Sequence, residues 1–359
     1  MLMALSESQA PALFGAAKVV GTGGGRSNLT DASADAISSL AQLGFGVDAP
    51  DIGTLRESSP KRLTAAMADE EQCRTAAEIL SVMALVDGEL DGSRIGTVMD
   101  FADDLGISGP WLDDLAGSMD ASMNAGSMDA SIKPDLEPVI ADMNDHNLRS
   151  ITNGRVDRTT VGDVDRWFAP YGANADEALA ERYDNLETLP TGTLGREVWS
   201  FYDSHDSAMP GRPGAVNEAF GTPHASAHLI SGYDTTPQGE MLVSTFTSRM
   251  HPVFPMSGHV LPVIYSWHLG IECNALAGRD TGALDPAKFW VAWNRGRHAT
   301  GDTFGDDFVM WDHAEETIDR VRDSFDVPPL DRVYAAAPVD TPEDTPLEEQ
   351  ASGDTDRNA

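Results

Sequence analysis

Between residues 70 and 106 the apolar side chains recur at three- and four-residue spacing. Ala76, Ile79, Leu80 and Met83 form one such stripe, and Ile95, Val98, Met99, Ala102 and Leu105 form the next. A period near 3.6 fits a helix and does not fit a strand. The stretch therefore predicts a helical hairpin, with Ser93 as N-cap of its second helix and Gly106 just past its end. Similar signals return downstream. Thr222-Pro223 and Asp285-Pro286 each pair a capping residue with proline at the first helical position. Phe289, Trp290 and Trp293 follow the second pair on one helical face. The chain is expected to be all-α.

The 359 residues are more than one typical domain holds, and 41% hydrophobic residues suffice for real cores. Residues 1–35 are rich in Gly, Ser and Ala and are expected to be a flexible leader. Their GTGGGR lacks the Lys-Ser/Thr or βαβ setting of a phosphate loop. A helical domain is expected over 36–165 and a second over 166–335, the second folding and binding metal without the first. Residues 336–359 are acidic and poor in large apolar side chains, so a disordered tail is expected. The near-repeat GSMDASMNA/GSMDASIKP, from Gly117 to Pro134, has too few copies for a solenoid.

Charge excludes one class of function. Acidic residues number 58 against 24 basic ones, a net of −34. Such a surface repels nucleic acid. With only four lysines (Lys18, Lys61, Lys133 and Lys288), it reads as a halophilic, salt-adapted surface. Cys73 and Cys273 form no CxxC pair and read as thiols in a reducing compartment. The N-terminus makes a poor signal peptide, and PVFPMSGHVLPVIYSWHLGI carries too many prolines for a clean span, so a cytoplasmic protein is expected. That apolar stretch, Val253 to Ile271, reads as a core helix or as the floor of a lipid groove.

DGELDGS, Asp87 to Ser93, begins like a calcium loop. Its twelfth position, where the bidentate glutamate belongs, is Val98. Asp87, Glu89 and Asp91 are left to cap and solvate a turn, or to hold a cation. The surrounding AEILSVMALVDGELDGSRIGTVMDFADDLGI resembles the TerB-like tellurite-resistance family, which implies an all-helical accessory module. That resemblance also opens a reading as a TerB-type stress-response protein.

The most chemical stretch is GTPHASAHLISGYDTTPQGE. His224 and His228 are one helical turn apart, which puts their Cβ atoms about 5–6 Å from each other. Gly232, Asp234, Pro237 and Gly239 then force a turn, and Glu240 opens the next helix. Two imidazoles and a carboxylate with positions left open suit Zn²⁺ or non-haem Fe²⁺, while an HxxxH pair alone also fits two ordinary helix histidines followed by a turn. The HExxH logic of metalloproteases fails, because Ala225 stands where its glutamate belongs.

LPTGTLGREVWSFYDSHD, this histidine run and FWVAWNRGRHATGDTFGDDFVMW occur in that order. Together, over about residues 170–335, they resemble the Coq4 family of ubiquinone-biosynthesis proteins. The resemblance implies a metal at His224, His228 and Glu240 and a role in quinone biosynthesis. It further implies peripheral membrane contact, partnership with other quinone-biosynthesis proteins, and oxidative decarboxylation of a polyprenylated ring at C1. The expected ligand is a polyprenylated quinone precursor or isoprenoid lipid, and self-association stays open. Arg295 and Arg297 read either as a clamp for its head group or as a cationic helix end. The family's aspartate after the first histidine is Ala225 here. That departure favours a second reading, a non-catalytic lipid-binding or scaffold protein.

Overall fold

The computed structural model describes residues 5–125, 133–154, 170–171, 175–273 and 280–335. Among these the chain is all-α, with no strand beyond two isolated bridges. The expected hairpin is present as α4 (Glu70–Met83) and α5 (Gly92–Leu105). Its N-cap falls two residues earlier than expected. Asp91 accepts from the Ser93 and Arg94 amides, and Gly106 closes the helix at φ 68°. Asp87 is buried in an ion pair with Arg94. Two of the three acidic side chains of the DGELDGS turn are thus spent on capping and pairing.

The expected leader is corrected. Residues 10–21 form α1 (Ala10–Gly21) and residues 31–39 form α2 (Asp31–Ser39). Leu13, Phe14, Ala16, Ala17 and Val20 of α1 are buried. The same small residues that make the composition look linker-like let α1 approach α2, α4 and α5 closely. A helix with so many buried positions is core, whatever its share of Ala and Gly.

The rest of the first half is α3 (Pro60–Ala66), α6 (Pro110–Ala125) and α7 (Lys133–Ile151). Then follow α8 (Glu177–Asp184), α9 (Leu194–Ser204), α10 (Glu218–Ser231), α11 (Pro237–Met250), α12 (Leu261–Trp267), α13 (Pro286–His298), α14 (Met310–His313) and α15 (Ile318–Ser324). A wide turn, Pro255–Val260, leads into α12. The near-repeat runs from α6 into residues outside those described, and the tail at 336–359 lies wholly outside them.

The expected boundary near residue 165 does not separate two cores. One apolar cluster runs from Leu5 through Phe101 and Met143 to Met241, Tyr265, Phe289, Trp290 and Trp293. Helix α13 is the wedge. Asp285 caps it through the Ala287 and Lys288 amides, and its aromatic face packs on α2. Trp290 Nε1 donates to the Ala36 carbonyl at 3.2 Å, and the Asn294 amide donates to the Leu43 carbonyl. Arg249 of α11 pairs with Glu78 of α4 at 2.6 Å, both buried. Each buried aromatic of this wedge is worth about 3–5 kcal/mol against truncation to alanine. On its other side α13 lies against α11. A Cβ at Gly296 would overlap the Phe246 carbonyl oxygen, so glycine sets how close these two helices come. A second cluster, with Tyr183, Val198, Tyr202, Ala225 and Ile230, packs under α10.

No helix among the described residues is long and apolar enough to cross a membrane.

Candidate metal centre and its cavity

The cap of α10 falls five residues before the expected Thr222. Asn217 accepts from the Ala219 amide at 2.9 Å, so the helix starts there and carries Pro223 inside it. Its end is as expected: Gly232, at φ 80°, turns the chain and its amide donates to the His228 carbonyl at 2.7 Å. Asp234 then accepts from Thr236, whose own hydroxyl caps α11 at the Gly239 amide. This chain of local bonds fixes the turn between the helices and swings the first turn of α11 back towards α10. Glu240 sits in that first turn.

The three predicted side chains meet. His228 Nε2 is 3.1 Å from His224 Nε2 and 3.3 Å from Glu240 Oε1, and His224 Nε2 is 3.4 Å from Glu240 Oε2. Four donors around a zinc-like ion at about 2.0–2.1 Å would be about 3.3–3.4 Å apart. Each imidazole nitrogen has a different Glu240 oxygen at about that edge length, so the carboxylate spans the two rings and the group has the reach of a metal site. The tautomer also fits: His228 Nδ1 donates to the Tyr233 carbonyl at 3.0 Å, which leaves the Nε2 lone pair facing the cluster. Phe220 stacks on His224, and Phe201 packs against His228. These rings hold both imidazoles in place.

Electrostatics point the same way. Burial acts to raise the Glu240 pKa, yet His228 and then His224 hold its carboxyl well below the usual range. For His228, burial acts to lower the pKa, and Glu240 followed by the Tyr233 carbonyl outweighs it, so the net shift is upward. The cluster stabilises positive charge, whether as a proton on His228 or as a dication. Among the described residues it is the one group of His, Cys, Asp and Glu side chains with metal-ligand spacing.

His224 and Glu240 open onto a cavity of about 300 Å³. Phe220, Trp267, Val263 and Phe304 give it apolar walls, while Ser244, Thr247, Asn147 and His259 add polar points. The stretch from Val253 to Ile271 divides between the core and the cavity wall. Met256, Val260, Leu261 and Ile264 enter the core, and Gly258, His259, Pro262, Val263 and Trp267 line the cavity. Sequence reading passed over His259, because one histidine in an apolar run carries no pattern that separates a wall residue from a core residue.

The structure does not bring Arg295 and Arg297 to this cavity. Arg295 is 5% exposed, lies over Tyr233 and Phe246, and donates from Nε to the Pro328 carbonyl at 3.0 Å. Arg297 Nη2 is 3.8 Å from Glu71. Residues two apart on a helix point about 200° from each other, so the pair cannot clamp one head group. Ala225 is fully buried within the apolar cluster under α10.

No family model and no curated protein matches the chain. Among solved structures it is similar to a Nostoc punctiforme protein whose name places it in ubiquinone biosynthesis. Identity is 16%, over 60% of this chain and 97% of that one, with a TM-score of 0.28. At that TM-score the likeness decides neither fold nor function.

Proposed function

We propose that this chain binds one divalent cation, Zn²⁺ or Fe²⁺, through His224, His228 and Glu240, and holds the ring end of a polyprenylated quinone precursor beside it. The carrying observation is the convergence of both imidazole Nε2 atoms and the Glu240 carboxylate, at 3.1, 3.3 and 3.4 Å, together with the Tyr233 carbonyl that orients His228. The ordered Coq4-like motifs supply the substrate class. A cavity of about 300 Å³ is at the small end of ligand pockets. It takes a ring and the start of a tail, and the remaining isoprenoid runs out along the surface.

Three protein donors leave coordination positions open, and a bound cation there supplies the Lewis-acid or redox chemistry that decarboxylation at C1 requires. The residues of the chain do the rest. Glu240 contributes the negative charge, the stacked Phe220 and Phe201 fix the imidazoles, and the apolar wall excludes water from the ring. Ala225 in place of the family's aspartate favours the second reading, a lipid-holding scaffold without turnover.

Elemental analysis of the purified protein tests the centre. The wild type should carry close to one ion per chain, His228→Ala almost none, and Glu240→Gln sharply less. Variants that keep the wild-type metal content would end this reading. Mass spectrometry of co-purified lipid tests the ligand, and metal with lipid but no CO₂ release from a carboxylated precursor selects the scaffold.

A further inference from the structure

Ser150 of α7 stands between two partners. Its Oγ is 2.6 Å from the Val253 carbonyl oxygen and 2.7 Å from His259 Nε2. A hydroxyl has one proton to give, and a carbonyl can only accept. The Ser150 proton therefore goes to Val253, and the Ser150 oxygen accepts from His259 Nε2–H. Burial, followed by the charges of His251, His224 and Arg249, holds the His259 pKa well below the usual imidazole range, so the ring is neutral. A neutral imidazole protonated on Nε2 keeps a bare lone pair on Nδ1.

Among the described residues no protein group bonds that Nδ1, and His259 lines the cavity shared with His224 and Glu240. The arrangement is braced from behind. His251 Nε2 donates to the Ser150 carbonyl at 2.9 Å, while its Nδ1 is 2.7 Å from Asp302. The His251 ring lies edge-on to His259 at 5.9 Å between centroids. Buried polar atoms are nearly always paired, so an acceptor left open on a cavity wall is one that a ligand completes.

We infer that His259 accepts a hydrogen bond at Nδ1 from the ligand of this cavity, and so selects molecules that bring a phenol or hydroxyl O–H to that wall. The inference rests on the ligand half of the proposed function and not on the metal.

Two measurements on the full chain test it. Nitrogen-15 NMR of labelled imidazoles should show His259 as the Nε2–H tautomer. Calorimetric titration with para-pentylphenol and with its methyl ether should favour the phenol by roughly five- to tenfold, the value of one neutral hydrogen bond. His259→Phe should abolish that preference while still binding the ether, which a purely structural role would not produce. Ser150→Ala removes the acceptor for Nε2–H, lets the proton move to Nδ1, and should also erase the preference. An Nδ1–H tautomer in the wild type, equal affinities for the two probes, or a preference that survives His259→Phe would each overturn the inference. If neither probe binds, the ligand half of the proposal falls with it, whereas metal content reports on the centre separately.

Discussion

Asp114 shows how one residue can tie stability to pH. It is 3% exposed, its Oδ2 has no hydrogen-bond partner, and the His146 Nδ1 at 3.8 Å is equally unpaired. Burial, followed by the charges of Asp142 and Asp113, pushes its pKa up to about 8. Burial also lowers the pKa of His146, which weakens the neighbour as a source of compensating charge. The folded protein therefore binds this proton more tightly than the unfolded chain does. The stability it contributes is complete below the unfolded pKa, near 3.8, and is lost as pH rises towards about 8. Asp114→Asn should flatten that decline and stabilise the protein at about pH 8 by on the order of several kcal/mol. Urea unfolding of both proteins at about pH 5 and about pH 8 checks the sign. Equal slopes would show that Asp114 does not titrate in this range. None of this was legible in the sequence, where Asp113 and Asp114 look like any exposed acidic pair on a helix.

Among the elements, the presence of a helix was more readable than the residue that caps it. Asp285 was recoverable from the proline that follows it, whereas α11 starts at Pro237 behind a Thr236 cap, three residues before the expected start at Glu240. Thr222-Pro223 carries the same signature and misleads, because Asn217 already caps α10 upstream. A cap is decided by which carbonyls and amides remain unpaired, and that depends on the neighbouring turn. The approach of α13 to α11 depends on Gly296, in a sequence where RGR drew attention to its arginines. Gly296→Ala would press a methyl group onto the Phe246 backbone, which yields less easily than a side chain. The expected cost is about 1–3 kcal/mol of stability. Because α11 carries Glu240, metal content should fall along with the denaturation midpoint. Unchanged stability together with unchanged metal content would mean that the two helices separate freely.

Over the whole molecule, residues 165–335 should not form a folded unit alone. Met241, Val260, Leu261, Tyr265, Phe289, Trp290 and Trp293 share one apolar cluster with the first half, where α13 packs on α2 and the Pro255–Val260 turn packs on α6 and α7. Without that half, their apolar faces meet water and Arg249 loses Glu78. Breaking such a buried pair costs about 3–5 kcal/mol by itself. The fragment is expected to aggregate, or to remain helical in the far-ultraviolet while lacking near-ultraviolet signal and binding hydrophobic dye. A sharp, cooperative thermal transition in the fragment would restore the two-domain reading. Composition could not show this shared core, since each half contains enough apolar residues to suggest a core of its own.

By itself the sequence determined the all-α class and the place of the candidate centre. Both rest on short-range rules: helical periodicity sets the class, and a four-residue spacing followed by a tight turn brings His224, His228 and Glu240 together. The tertiary structure alone decided that α1 is core and that the halves share one interior. It also decided that Arg295 and Arg297 face away from the cavity and that His259 faces into it. Those outcomes turn on which surfaces meet across the fold, and contacts between residues a hundred or more positions apart leave no periodic trace in the chain.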